Sequence, residues 1–276
     1  MLSYLEFIEE KLITFGGRSY PKFNNVVILA GGSASGKDFQ LEKLVGIEGR
    51  VLDVDKLKKM TTKLPRFVAK VKKETGYEID KFDMRKPDNV YKLHEILEDV
   101  YDLPDKESKT LFSSILAASE HRKPNLIFNV TLKSIPKLQS ISRNVQELGY
   151  DKKNIHIVWV VQDVEVAKEQ NLDIRRGRIV PEEILINTHE GVALTFKKIL
   201  DMGDKIKDYL DGDIYLSFNK PVVDTKMKVS DKGGQYMEQA NYIKIKKQGE
   251  RQISSGKLTP KIYNKIKSYT PKIDTW

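Results

Sequence analysis

Apolar residues gather in five short runs along the chain, each set off by polar turns and helical patterns. NNVVILA (24–30) comes first, then RVLDV (50–54), NLIFNV (125–130), NIHIVWVV (154–161) and DIYLSF (213–218). Short runs rich in Val and Ile, with little polar alternation, suit strands covered on both faces. Helical spacing fills the intervals, up to Val45 and over 64–75, 90–102, 107–120, 134–148, 163–173 and 181–209. Strands alternating with helices predict an α/β fold with a mostly parallel five-stranded sheet and helices on both faces. Leu2, Leu5, Ile8, Leu12 and Phe15 predict an N-terminal helix within residues 1–22. A central domain is expected over 23–220. Beyond Pro221 the pattern breaks into turns and short β-like pieces that interleave Lys with Ile and Tyr, which predicts a small basic annex over 221–276.

Composition narrows the chemistry. The 276 residues contain no Cys, which excludes a disulfide scaffold, a cysteine nucleophile and thiolate metal sites. The four His are scattered without metal-ligand spacing; His156 reads as sheet core. The net charge of +9 favours phosphorylated or polyanionic partners, and residues 211–276 carry 13 basic against 7 acidic side chains. No apolar run approaches the roughly 20 residues that span a bilayer. The first residues lack the basic lead-in of a secretory signal, so a cytoplasmic protein without membrane contact is expected.

The most specific signal is Gly31, Gly32, Ser33, Ala34, Ser35, Gly36, Lys37 and Asp38, which fit GxxxxGK with Asp where Ser or Thr usually stands. Glycines let such a turn point successive N–H groups at phosphate oxygens, and Lys37 reaches the β- and γ-phosphates. An apolar strand before the turn and a helix after it supply the required context. Asp38 is expected to ligate magnesium, directly or through water; a helix-capping acid is its structural reading. Asp53 and Asp55 end the second run, where parallel sheets bind ligands. Asp55 is the expected base, with Asp53 as the alternative base or a magnesium contact, and a helix cap as the structural reading of Asp55. Arg175, Arg176 and Arg178 lie between two helices, with Gly177 permitting a bend, and suit phosphate binding from a lid. Arg175 and Arg178 rank above Arg176. Thr131 and Lys133 follow the third strand toward the acceptor side. Eight basic residues from Lys56 to Lys73 make either an acceptor-gathering surface or a solvated helix face.

VVILAGGSASGKD, VLDVDKLKK (51–59), LIFNVTLKS (126–134) and RRGRIVPEE (175–183) occur in the order found in P-loop kinases. The chain resembles the P-loop small-molecule and nucleic-acid kinases over roughly residues 25–220, and most closely the zeta-toxin-like kinases. Weaker similarity extends to polynucleotide kinases and to phage deoxynucleotide monophosphate kinases, which share the SGKD variant. The resemblance implies a P-loop kinase fold using ATP or GTP with Mg2+, Asp55 acting on the acceptor hydroxyl and Lys58 as the paired basic residue. It also implies that Arg178 is the final lid arginine and that the loop holding Asn219 meets the nucleotide base. Asn129 stands where many relatives carry an acid. The expected function is transfer of a γ-phosphoryl group to a hydroxyl of a small metabolite or nucleotide sugar. A polynucleotide 5′-hydroxyl kinase is the alternative, and a nucleic-acid-binding or virion-associated structural protein on a degraded kinase fold is a third reading. The annex is expected to be peripheral, packing on the core or binding a protein partner.

Overall fold

A computed structural model of the chain describes residues 13–18, 20–101, 115, 119–229, 233–251 and 258–271. Five parallel strands form where the apolar runs predict them: β1 (Val26–Ala30), β2 (Arg50–Leu52), β3 (Leu126–Val130), β4 (Ile155–Val161) and β5 (Ile214–Phe218). The sheet order is β2-β3-β1-β4-β5, so the chain leaves β1 for one side and returns later to the other. Ligand crevices form at such a switch, outside the carboxyl ends of the strands. β1, β4 and β5 are buried along their whole length, which is why their sequences are continuously apolar.

Helices α1 (Lys37–Lys43), α5 (Ile135–Glu147), α6 (Val164–Leu172) and α7 (Glu182–Asp201) cover the sheet, after α2 (Val54–Thr61), α3 (Pro65–Thr75) and α4 (Pro87–Glu95). Pro at the first turn of α3, α4 and α5 costs no hydrogen bond, and Ser134 caps α5 by accepting from the Lys137 N–H. The expected helix over 90–102 begins earlier, at Pro87, and passes into a π-helical turn at Ile96–Val100. Most of the helix expected over 107–120 lies outside the described residues. One core cluster centres on Ile28, Phe128, Ile157 and Trp159, with Trp159 stacked 4.4 Å from Phe196 of α7. A second fills the opposite face around Val27, Leu29 and Val158. Val71, Ile79, Leu93 and Leu97 form a separate, smaller cluster under α3 and α4. His156 is fully buried, as expected of sheet core; its Nδ1 accepts from the Asp213 N–H at 2.8 Å.

Two expectations need correction. The sheet has seven strands, because β6 (Thr225–Val229) and β7 (Gln235–Lys246) join it antiparallel, in the order β5-β7-β6. Their sequences lack a continuous apolar run because only Ile245 and Lys246 of β7 are buried. The boundary expected near residue 220 is therefore crossed by sheet hydrogen bonds. Helix α8 (Pro260–Tyr269) crosses it too, burying Ile266 and Tyr269 in the main core. At the other end, the described part of the expected N-terminal helix is extended: Ile13 bridges Val45, and Phe15 packs 4.8 Å from the His156 ring. Helical spacing there places Phe15 on the core without a helix; residues 1–12 lie outside the described set.

Candidate active site

The glycine-rich turn springs from the end of β1. Ala34 and Gly36 take left-handed conformations, with φ of 57° and 79°, which reverse the chain before α1. The Lys37 ammonium folds back over the turn and donates to the Gly31 and Gly32 carbonyls at 2.9 and 3.0 Å. Burial pushes Lys37 down to about 8, against the pull of Asp55, Asp38 and Asp53. Lys37 is thus a partly desolvated cation beside three carboxylates.

Register brings the acids together. Leu52 pairs with Phe128 across β2 and β3, so Asp53, one residue on, lies beside Asn129. The Asn129 amide donates to Asp53 at 2.9 Å and to Asp38 at 3.0 Å, bridging the loop acid and the sheet-edge acid. Asp53 also caps α2 by accepting from the Asp55 N–H at 2.9 Å. Asp55 faces the lid: both its carboxylate oxygens receive the Arg178 guanidinium at 2.5 Å, a fork-to-fork pair. Burial works to raise the Asp55 carboxyl, but Arg178, Lys58 and Lys37 hold it below the ordinary Asp value.

The other lid arginines are not on this cluster. Arg175 is 87% exposed and pairs with Asp173. Arg176, ranked lower from sequence, donates to the buried Asn171, and burial pushes it down to about 10. Lys58, whose charge acts on Asp55, makes its direct bonds to Glu98 and His94 at 2.7 Å each. Thr131 directly follows β3, while Lys133 packs on α7, where a Cβ at Gly191 would come within 3.0 Å of it.

Asn219 follows β5; its amide bonds the loop, and the residue also lines the cavity beside it. Its Nδ2 donates to the Ser35 carbonyl at 2.8 Å, and its Oδ1 accepts from Gln40 at 2.7 Å. Ser217 completes the chain by donating to Gln40 at 2.8 Å. A Cβ at residue 36 would sit 2.2 Å from the Asn219 nitrogen, so Gly36 serves close approach as well as turn geometry. Next to this brace lies a cavity of about 620 Å³, lined by Gly36, Phe39, Gln170, Val222, Thr225 and Met227. Val222 stands at it with φ of 67°, an outlier for a β-branched residue, and is 87% exposed.

Four functional residues escaped the sequence reading. Gln40 and Ser217 carry no motif. Thr188 and His189 of α7 bond Ser33 at 2.9 and 2.8 Å, from 155 and 156 residues away. Only the tertiary fold joins them to the loop.

For a divalent cation the donors are hard oxygens: Asp38 and Asp53, with the Asn129 amide between them. Among the described residues no cluster of three or more His, Cys, Asp or Glu exists. Two carboxylates beside a glycine-rich turn fit magnesium, which keeps several waters and takes few protein ligands. No described helix is long and apolar enough to cross a membrane.

No family model matches the chain, and no curated protein matches it in sequence. Among solved structures it is similar to the AvrRxo1-ORF1:ORF2 complex, with a TM-score of 0.50, 15% identity and 91% of this chain covered. The same complex with ATP gives a TM-score of 0.49 at 14% identity, covering 91% of this chain and 66% of that one. A chain of the PezAT chromosomal toxin–antitoxin system of Streptococcus pneumoniae gives 0.40 at 17% identity, covering 72% of this chain and 69% of that one. The chain spans only 65% of the length of the first of these. At such identity the likeness is one of fold: an α/β sheet covered by helices on both faces.

Proposed function

We propose that the protein is a phosphotransferase that moves the γ-phosphoryl group of ATP or GTP to a hydroxyl of a small metabolite or nucleotide sugar. The observation that carries this reading is the convergence of Lys37, Asp38, Asp53, Asp55 and Arg178 at the carboxyl edge of β1, β2 and β3. Phosphoryl transfer asks for charge neutralisation and an aligned acceptor more than for covalent chemistry. Lys37 is placed to exchange its two carbonyl partners for phosphate oxygens. Asp38 and Asp53 would hold magnesium, which neutralises phosphate charge when bound. Arg178 turns from Asp55 to the transferring group, and Asp55, so released, orients the acceptor hydroxyl and takes its proton. The cavity beside Gly36 has the size and apolar walls for a nucleobase. Asn219 braces the loop and lines this cavity together with Gln170 and the β6 side, where it would meet the base.

The basic surface of α2 and α3 favours the polynucleotide alternative, since Lys59, Lys63, Arg66, Lys70 and Lys73 are all exposed. Steep loss of oligonucleotide binding with salt would mark that acceptor class. A protein partner is proposed on the fold likeness to a two-chain complex.

The test is a screen of metabolites and oligonucleotides with γ-labelled ATP, comparing wild type, Asp55→Asn and Asp53→Asn. Asp55→Asn is expected to bind ATP normally and lose transfer by about 100-fold, the usual scale for a general base. Full activity in Asp55→Asn beside an inactive Asp53→Asn would move the base to Asp53. No transfer by the wild type to any acceptor would favour a binding protein on this fold.

A further inference from the structure

We propose that Thr188 and His189 are positioning residues of the glycine-rich loop: they fix the peptide that aims the Ala34 N–H. The inference rests on the nucleotide reading of the same site and assigns roles to residues outside its motifs.

Both polar groups of Ser33 are held by α7. The Ser33 N–H donates to Thr188 Oγ1 at 2.9 Å, and His189 Nε2 lies 2.8 Å from the Ser33 carbonyl. Only an N–H can satisfy that carbonyl, so the ring carries its proton on Nε2. The Thr188 hydroxyl proton goes to the Leu185 carbonyl at 2.7 Å, which leaves its oxygen lone pair for Ser33. Both side chains are buried.

A planar peptide points its C=O and the next N–H in opposite directions. Holding the Ser33 carbonyl against α7 therefore sends the Ala34 N–H the other way. The pattern repeats along the turn. Lys37 holds the Gly31 and Gly32 carbonyls and Asn219 holds that of Ser35, so four carbonyls face protein donors. Ala34 sits at φ 57°, a conformation an alanine leaves readily once its neighbour is released. A Cβ at residue 32 would lie 2.3 Å from the His189 ring, so the ring's position requires glycine there. Burial, with the nearby Lys37 charge, pushes His189 down to about 4, and the ring stays a neutral donor beside a cation.

The segment that leads into α7 is anchored separately: Asn171 of α6 holds Val180 by two bonds, 2.7 and 3.0 Å, and Arg178 lies two residues earlier on Asp55.

Titration of the full chain with ATP and Mg2+ tests the assignment. His189→Leu is expected to weaken ATP binding about tenfold, while His189→Gln, which retains an N–H donor, stays within about threefold of wild type. Thr188→Val should weaken binding as His189→Leu does, and Thr188→Ser should bind like wild type. This near-isosteric pair at position 188 carries the test if the His189→Leu chain does not fold. A general packing role would not track the hydrogen-bonding group in this way. Wild-type ATP affinity in folded His189→Leu and Thr188→Val overturns the proposal. Absence of ATP binding in the wild type overturns the nucleotide reading instead, and amide hydrogen exchange over residues 31–37 then decides the positioning role. Faster exchange in His189→Leu that His189→Gln reverses supports it, and unchanged exchange overturns it.

Discussion

Lys37→Ala is expected to leave a folded protein whose phosphoryl transfer falls by about 100-fold. A transition-state phosphate contact made by a partly desolvated ammonium contributes on the order of 3 kcal/mol. Removing it spares the core, because Lys37 touches the carbonyls of its own loop rather than apolar side chains. The variant also removes a pH dependence. Burial leaves Lys37 at about 8, so the free protein has lost half of this proton at that pH and most of it above. Phosphate prefers the ammonium, and binding must then take a proton up. Wild-type ATP affinity should hold below pH 8 and weaken above it, whereas Lys37→Ala should be weak throughout, without that step. Calorimetry on either side of that pH, in buffers of different ionisation enthalpy, checks both sign and proton count. Undiminished transfer in the folded variant would remove Lys37 from the mechanism.

Deletion of residues 221–276 is expected to abolish soluble, folded protein. The segment supplies β7, which pairs along β5 from Ile214 to Phe218, and it buries Ile245, Ile266 and Tyr269. Losing three such side chains costs about 6 kcal/mol, against a total stability of roughly 5–15 kcal/mol for a domain. It also removes Asp224, a buried carboxylate bonded by Lys265, Tyr269 and Asn241. The bare β5 edge would invite pairing between chains. Circular dichroism and size exclusion of the truncated chain check this. A folded monomer with normal ATP turnover would return the segment to the peripheral role expected from its composition.

The contrast between these segments explains what was legible in the sequence. β1, β4 and β5 announce themselves because both faces are buried, and every residue must be apolar or satisfied. β7 has solvent on much of its length, so Gln235, Glu238, Gln239 and Lys244 dilute the same signal, and twelve residues of strand read as turn-rich polar chain. The loop motif and the acids after β2 were readable because each is local. Asn129 between Asp38 and Asp53 was not, since it depends on strand register, and neither was the α7 contact with Ser33, which depends on how a helix lies on the sheet. Lys58 and Arg175 carried suitable charge, but nearby acids hold both: Glu98 the first, Asp173 the second.

The Asn129 bridge changes how the two departures from the usual motif should be understood. Separately, an acid at position 38 adds a negative charge, and an amide at position 129 removes one. Joined by one –NH2 group, they act together: the amide adds no charge of its own and holds the loop carboxylate beside the sheet-edge carboxylate. The amide is also what lets two carboxylates approach, because its two protons satisfy one oxygen of each. A carboxylate at 129 beside Asp38 and Asp53 would crowd three like charges and drive one to take up a proton. Residues 38, 53 and 129 are therefore a single electrostatic unit drawn from three distant points of the chain, held together by one neutral amide.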